Sequence, residues 1–393
     1  MRMPICILAP LVCLYSVGAF ADDTPDQQTP APAAPVQGAA PTDAKPADAT
    51  PPAPPPKYDG WAFSALADAY VNYNSTSPSM DFNQLQNFNL HTGAPRLTLA
   101  KFTVDKSDKV FGIHLDVGVG ETMRLIHAAD PAAVDHKGLR YVEQAYLIFK
   151  PNKTHGTEID FGQFVTSAGA EVIESSSNWN YTRSLLFSWA IPYYHFGFKT
   201  TTPITKELTL GFQLVNGWNS VWGNNDFQNG AVTLALTKTK YTWSGNYYVG
   251  KSDLVKTAGV RNLLDSTVLF TPNAKLNLYV NGDFGRDNVG TGAYAQWYGL
   301  AGAARYQLTK LFAIAGRAEV FNDAKGFSTG TAQLLKEATG TVEYKMNDHL
   351  VTRFEARHDS SDHPFFDQGN GKPLAKGDTT VTFGVVALLG PLK

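Results

Sequence analysis

The stretch KVFGIHLDVGVG, residues 109–120, alternates between large apolar side chains and small or polar ones. Its apolar members are Phe111, Ile113, Leu115, Val117 and Val119, with Gly112, His114, Asp116 and Gly118 between them. Successive side chains of a β-strand point to opposite faces. The stretch therefore predicts a strand with one apolar face and one polar face.

The same alternation recurs along most of the chain. We assign sixteen segments to strands: 60–74, 94–104, 109–120, 139–150, 156–165, 193–202, 207–218, 228–237, 240–250, 259–271, 274–284, 295–307, 310–321, 336–346, 349–358 and 378–390. A strand that crosses a membrane needs roughly 9–11 residues, whereas a soluble strand usually has about 5–6. The length of the segments favours strands that cross a membrane.

The connections between these segments alternate in length. Short ones lie at 105–108, 151–155, 203–206, 238–239, 272–273, around Thr309 and at 347–348. Long ones lie at 75–93, 121–138, 166–192, 219–227, 251–258, 285–294, 322–335 and 359–377. Short periplasmic turns and long extracellular loops are typical of outer-membrane barrels. The pattern predicts an all-β fold, a transmembrane antiparallel up-and-down β-barrel of about sixteen strands (roughly 14–18) in the outer membrane of a bacterial cell.

Aromatic residues near the segment ends suit the interfacial girdles of such a barrel. The candidates are Trp61, Tyr73, Trp218, Tyr241, Trp243, Trp297, Tyr306 and Tyr344. We expect these side chains to face outward at the two membrane surfaces.

The first 57 residues differ from the rest. Arg2, the apolar stretch 5–17 and the sequence Ala19-Phe20-Ala21 predict a cleaved signal peptide over residues 1–21. Residues 22–57 are rich in Pro and Ala and lack aromatic residues, which predicts a disordered periplasmic linker. The porin-like barrel domain is expected over residues 58–393.

Composition excludes several classes of function. Both cysteines, Cys6 and Cys13, fall in the predicted signal peptide, so the mature chain has neither a disulfide nor a thiolate metal site. A formal net charge of −2 argues against a nucleic-acid partner. The sequence predicts no cofactor, no metal site and no catalytic residue.

A barrel of sixteen strands is too wide for its own wall side chains to fill, so its interior is predicted to be aqueous. Charged residues on the polar faces are predicted to line it: Asp116, Lys275, Asp283, Arg317, Glu319, Arg353, Glu355 and Arg357. In one reading, these residues form local ion pairs in a hydrated lumen. In the other, they form opposed acidic and basic rows that favour the passage of some ions over others. Sequence leaves both readings open.

Loop 166–192 is unusually apolar for a loop in water. We predict that it narrows the lumen, with Glu171, Glu174 and Arg183 at the constriction. Packing on the rim or on a neighbouring subunit is the alternative.

Residues 162–197, GQFVTSAGAEVIESSSNWNYTRSLLFSWAIPYYHFG, and the Val-Asn-Gly-Trp at 215–218 carry a resemblance. They are similar to the putative outer-membrane β-barrel porin-2 (OmpL-like) family, which shows a matching Gly-Gln-Phe, Glu-Val-Ile, Asn-Trp-Asn-Tyr-x-Arg-Ser and Ile-Pro-x-Tyr-His-x-Gly. The family often has Pro where this chain has Ser167. The resemblance implies a porin-like role without naming a solute.

The expected function is a porin-like channel for passive diffusion of ions and small hydrophilic solutes. Its partners would be outer-membrane lipid, those solutes and, by analogy with other sixteen-stranded porins, two further copies in a homotrimer. An enzyme is disfavoured, because Ser184 and His195 lack a Gly-x-Ser-x-Gly elbow. A cation site near His358–His363 is a further alternative. Another is a structural or adhesive barrel that anchors the envelope through its N-terminal arm.

Overall fold

The computed structural model describes residues 60–151, 156–222, 229–251, 259–288 and 293–390. The predicted signal peptide, 1–21, and linker, 22–57, lie outside the described residues and stay predictions. The predicted barrel domain, 58–393, is described only within those ranges.

Sixteen strands form one closed barrel in the described residues. They are β1 Trp61–Asn74, β2 Arg96–Ser107, β3 Phe111–Val119, β4 Val142–Phe149, β5 Glu158–Val165, β6 Tyr194–Pro203, β7 Leu208–Val215, β8 Asn229–Thr237, β9 Tyr241–Lys251, β10 Val260–Asn273, β11 Leu276–Asn288, β12 Tyr294–Gln307, β13 Phe312–Asp323, β14 Gln333–Asn347, β15 Leu350–Ser361 and β16 Gly377–Leu389. This confirms the predicted fold class and strand number.

Each strand pairs antiparallel with its neighbours in sequence, and β1 closes the barrel by pairing with β16. Ala65 faces Leu389 at one end of that seam and Asn74 faces Thr380 at the other. Closure satisfies the backbone N–H and C=O groups that an open sheet edge would leave unpaired in lipid.

Three short helices lie in the long connections: α1 Glu121–Ile126, α2 Pro131–Asp135 and α3 Leu185–Trp189. The predicted strand 139–150 begins later, at Val142, because residues 139–141 form a 3-10 turn. No helix of the described residues is long and apolar enough to span a membrane.

The alternation seen in the sequence separates the two faces of the wall. On β15, Phe354 points outward and is 56 % exposed, whereas Arg353, Glu355 and Arg357 point inward and are at most 4 % exposed. Inward charges this well covered require something to pack against them inside the barrel.

Two residues predicted for the girdles lie inside instead. Trp218 and Trp297 are buried in the interior apolar cluster, so the girdle prediction is wrong for them. The ring of Trp297 stacks on Phe327 at a centroid distance of 4.8 Å, and its Nε1 donates to the carbonyl oxygen of Ala190 at 2.7 Å. A hydrogen-bond acceptor and an aromatic surface in the interior account for this placement.

Candidate functional site

The connection between β5 and β6, residues 166–193, runs through the barrel interior, and we call it the crossing segment. Its backbone and side chains make hydrogen bonds to inward-facing residues of β1, β2 and β9–β15. The apolar residues of α3, from Leu185 to Trp189, are all buried. The segment therefore spans the lumen from wall to wall.

Hydrogen bonds within the crossing segment stabilise its local conformation, in addition to its contacts with the barrel wall. The Asn178 side chain accepts from the backbone N–H of Val172 at 2.8 Å and donates to the Val172 carbonyl at 2.7 Å, which closes the turn 172–178. The Ser184 hydroxyl accepts from the N–H of Phe187 at 2.8 Å and caps α3.

Arg317 of β13 joins the barrel wall to the crossing segment through several hydrogen bonds. Its Nη1 lies 2.6 Å from Oε1 of Glu171 and 2.7 Å from the carbonyl oxygen of Thr182. Its Nε donates to Glu337 of β14 at 3.0 Å. A buried guanidinium is stable only when its donors are paired, and here two carboxylates and a carbonyl pair them.

Two wall carboxylates bind the segment through its backbone. Glu355 of β15 accepts from the N–H groups of Tyr181 at 2.5 Å and Thr182 at 2.9 Å. Glu319 of β13 accepts from those of Leu185 at 2.6 Å and Leu186 at 3.0 Å. Charge-assisted bonds of this kind are the stronger class of hydrogen bond.

Asp68 of β1, a strand separated from β15 only by β16, also binds the segment. Its two carboxylate oxygens accept from the Ser175 hydroxyl at 2.5 Å and the Tyr181 hydroxyl at 2.7 Å. The alternation of β1 marks Asp68 as an inward residue, since Ala67 before it and Ala69 after it point outward, but it does not indicate that Asp68 binds the segment.

Two arginines of β15 contact carbonyls of the segment. Arg353 donates to the Ser175 carbonyl and pairs with Glu343 at 2.7 Å. Arg357 donates to the Arg183 carbonyl at 2.5 Å and pairs with Asp359 at 2.7 Å. The predicted lumen residues on β13 and β15 thus meet on one side of the crossing segment.

Arg183 lies within the segment itself. It donates to the Tyr181 carbonyl at 2.6 Å and to the Ile173 carbonyl, and its guanidinium stands 4.6 Å from the ring centroid of Phe88. Arg183 therefore stabilises the conformation of the segment, because the donor and the acceptor of each of these hydrogen bonds belong to residues 166–193.

A separate charged cluster joins the segment to β2–β4. The Lys101 ammonium lies 3.3 Å from Asp116, 3.3 Å from Glu143 and in contact with Glu174. Oxygen atoms of the three carboxylates lie within 4.8 Å of one another, a spacing that could hold a metal ion. The ammonium of Lys101 supplies the positive charge instead. Sequence analysis named Asp116 and Glu174 but missed Lys101 and Glu143.

The remaining predicted lumen residues lie elsewhere. Asp283 of β11 is buried and faces Asp265 of β10 across the strand pair. Lys275 is exposed in the turn between β10 and β11, so it is not part of the inner cluster. The turn places it at the barrel end instead of on a strand face.

The Ser184–His195 pair considered for an enzyme is not assembled. The Ser184 hydroxyl caps α3, while Nδ1 of His195 hydrogen-bonds to the carbonyl oxygen of Gly217 at 2.8 Å. Each side chain has a structural partner of its own.

Comparison with known proteins agrees with the barrel. The model of a family described as "Putative beta-barrel porin-2, OmpL-like" matches residues 60–389. No curated protein matches the sequence. Solved structures of low sequence identity share the fold.

Three of these structures illustrate the likeness. OmpT of Vibrio cholerae is 12 % identical, with a TM-score of 0.53, and the match covers 85 % of this chain and 99 % of that one. The anion-selective porin from Comamonas acidovorans is 9 % identical, with a TM-score of 0.55 over 84 % and 99 % of the two chains. The outer-membrane channel DcaP of Acinetobacter baumannii is 10 % identical, with a TM-score of 0.55 over 85 % and 99 %.

Proposed function

The chain belongs to the β-barrel porin-2, OmpL-like family and is an outer-membrane porin channel, and from this premise we propose that ions and small hydrophilic solutes diffuse passively past its crossing segment. The family and the fold are those of a channel rather than of an enzyme. We propose further that no chemical step and no cofactor take part.

The observation that carries the proposal is the position of the crossing segment between the charged walls. Most of its residues are buried, but Glu174, Ser176 and Ser177 are among those that stay partly exposed. We place the permeation path along this polar side, next to Lys101. In this arrangement Glu174 lies at the constriction and lines the path. Glu171 and Arg183 do not line the path but stabilise the position of the segment.

The charges beside this path are of both signs. Glu174 and Asp116 face Lys101, and the arginines of β13 and β15 hold the other side of the segment. Opposed charges across a narrow aqueous gap favour passage of small hydrated ions and polar solutes over apolar ones. We also propose a homotrimer in the membrane, in line with other porins of this strand number.

Single-channel current across a planar bilayer tests the function. The refolded mature protein should show discrete current steps, and its reversal potential in a salt gradient should report the ion preference. A folded barrel without current steps and without sugar uptake into liposomes would reject the channel. That result would favour the structural barrel, with the buried crossing segment as its plug.

A further inference from the structure

One tryptophan ring inside the barrel stays partly open to the lumen. Trp189, Trp218 and Trp297 also belong to the interior apolar cluster, and each of them is at most 8 % exposed. Trp179 of the crossing segment packs on the same cluster but remains partly exposed. It directly follows the turn that carries Glu174, the residue that lines the proposed path. A solute in the channel can therefore reach this ring.

Two contacts show where the Trp179 ring lies. The side chain of the next residue, Asn180, donates to the Thr341 hydroxyl of β14 at 2.7 Å. The Trp179 ring stands 5.0 Å from the ring of Tyr279 on β11, with an angle of 37° between the two planes. Strands β12 and β13 lie between β11 and β14. The indole therefore extends over the inner face of β12 and β13.

The inner face of these two strands is recessed below the indole. The inward residue opposite Tyr279 is Ala303 of β12, and the one opposite Thr341 is Ala315 of β13. Their small side chains leave space in the wall. Arg305, the next inward residue of β12, pairs with Ala315 and follows Ala303 by about 7 Å along the strand. The recess therefore has a cationic side chain at its edge.

A carboxylate and an amide accompany this arginine. Nη2 of Arg305 lies 2.8 Å from Oε1 of Glu343, and both side chains are partly exposed. Arg353 pairs with the other oxygen of Glu343 at 2.7 Å, so this carboxylate has a second partner. Asn277 of β11 lies opposite Arg305 in the strand register and is also partly exposed. The recess thus combines an aromatic ring with hydrogen-bond donors and an acceptor.

We propose that this recess binds a pyranose sugar on its way through the channel. The inference rests on the proposed function and names a class of solute for it. One face of a pyranose ring carries C–H groups, which pack on the Trp179 indole, and its edge carries hydroxyl groups. Those hydroxyls donate to Glu343 and accept from Arg305 and Asn277. Ligand sites commonly pair an aromatic surface with a few polar groups that fix the orientation of the ligand.

Blockage of the ion current by maltotriose, an oligomer of glucose, tests the proposal with the mature protein in a planar bilayer. Maltotriose should reduce the wild-type current with a saturable dependence on concentration. A poly(ethylene glycol) of similar mass occupies volume without a pyranose face, so its effect should not saturate. Current steps without saturable blockage by maltotriose would overturn the sugar site and leave the channel in place. The absence of current steps would reject the channel and the sugar site together.

Trp179→Ala should raise the half-blocking concentration of maltotriose about fivefold, because it removes the aromatic face. Trp179→Phe keeps such a face and should retain most of the blockage, which separates stacking from a change in the shape of the segment. Trp243→Ala is the matched control, since Trp243 lies on the outer face of β9 and its Nε1 donates to the Ser266 hydroxyl at 3.0 Å. An unchanged value in Trp179→Ala, or an equal rise in Trp179→Phe or Trp243→Ala, would overturn the proposal.

Arg305→Gln tests the polar edge of the recess. Loss of a charged donor to a sugar hydroxyl should raise the half-blocking concentration about tenfold, while Arg353 still pairs with Glu343. Lys238→Gln removes a positive charge at an exposed ion pair with Glu207, away from the recess, and should leave the value as in the wild type. Equal values for Arg305→Gln and the wild type would place the sugar elsewhere and refute the site.

Discussion

Nη1 of Arg317 lies 2.6 Å from Oε1 of Glu171, and the two residues are 146 positions apart in the chain. One belongs to the barrel wall and the other to the crossing segment. Both side chains are buried, so the pair is shielded from the solvent and salt that weaken surface ion pairs. This pair ties the position of the segment to the wall.

Glu171→Gln should loosen the crossing segment while the barrel stays closed. The substitution removes the charge that pairs with Arg317, a loss of about 2 kcal/mol for a charge-assisted bond, and Glu337 still pairs the arginine. Single-channel recordings should show larger and noisier current steps. Unchanged steps would contradict the role of the pair.

The exposed ion pair between Lys238 and Glu207 supplies the control for that experiment. Such surface pairs contribute about 0–1 kcal/mol. Glu207→Gln should therefore leave both the thermal unfolding of the barrel and the channel current as in the wild type.

Lys101→Met should shift the ion preference toward cations. The ammonium of Lys101 neutralises part of the charge of Asp116, Glu143 and Glu174, and its removal leaves three neighbouring carboxylates. The reversal potential in a salt gradient should move toward the cation value, and added Ca²⁺ should reduce the current by binding the carboxylates. Lys336→Met, on an exposed side chain of β14, should change neither. A reversal potential equal to that of wild type would argue against a path beside Lys101.

Ser177→Cys should place a reactive thiol beside the permeation path. Ser177 is partly exposed on the crossing segment, and the sequence after residue 21 contains no cysteine to give a background reaction. A small charged thiol reagent should reduce the single-channel current irreversibly. Val268 points outward from β10, so the reagent should leave the single-channel current of Val268→Cys unchanged. A Ser177→Cys channel that reacts without losing current would place the path elsewhere.

Acid should loosen the loop 120–141 through His127. Burial lowers the pKa of His127 to about 4, and nearby Arg140 acts in the same direction. The unfolded loop takes up a proton near the ordinary pKa of about 6.5, so the folded loop loses up to about 3 kcal/mol as pH falls from 6.5 to 4. Burial raises the pKa of Asp130, whose effect opposes this loss.

Protease cleavage within residues 120–141 measures this effect. Cleavage of the wild type should be faster at about pH 5 than at about pH 7, after correction for the protease itself. His127→Asn cannot take up the proton and should lose the acid response. Equal cleavage of the wild type at both values would refute the assignment to His127.

The barrel itself could be predicted from local patterns. Alternation along segments such as 109–120 and 349–358 depends only on the period of two of a strand, and strands that alternate in this way in lipid must close. The inward positions of Arg353, Glu355 and Arg357 follow from the same period. Strand ends were less well determined, as residues 139–141 show.

The site depends on contacts that local patterns do not contain. Glu355 binds the backbone of Tyr181, 174 residues away, and Arg317 binds Glu171, because the closed wall and the path of the crossing segment bring them together. Trp297 has the sequence context of a girdle residue, yet it packs inside because the Ala190 carbonyl and Phe327 offer it partners there. The sequence by itself determined a barrel with charged residues on its inner face. Only the tertiary structure decided which of those charges hold the segment, since that depends on distances across the lumen.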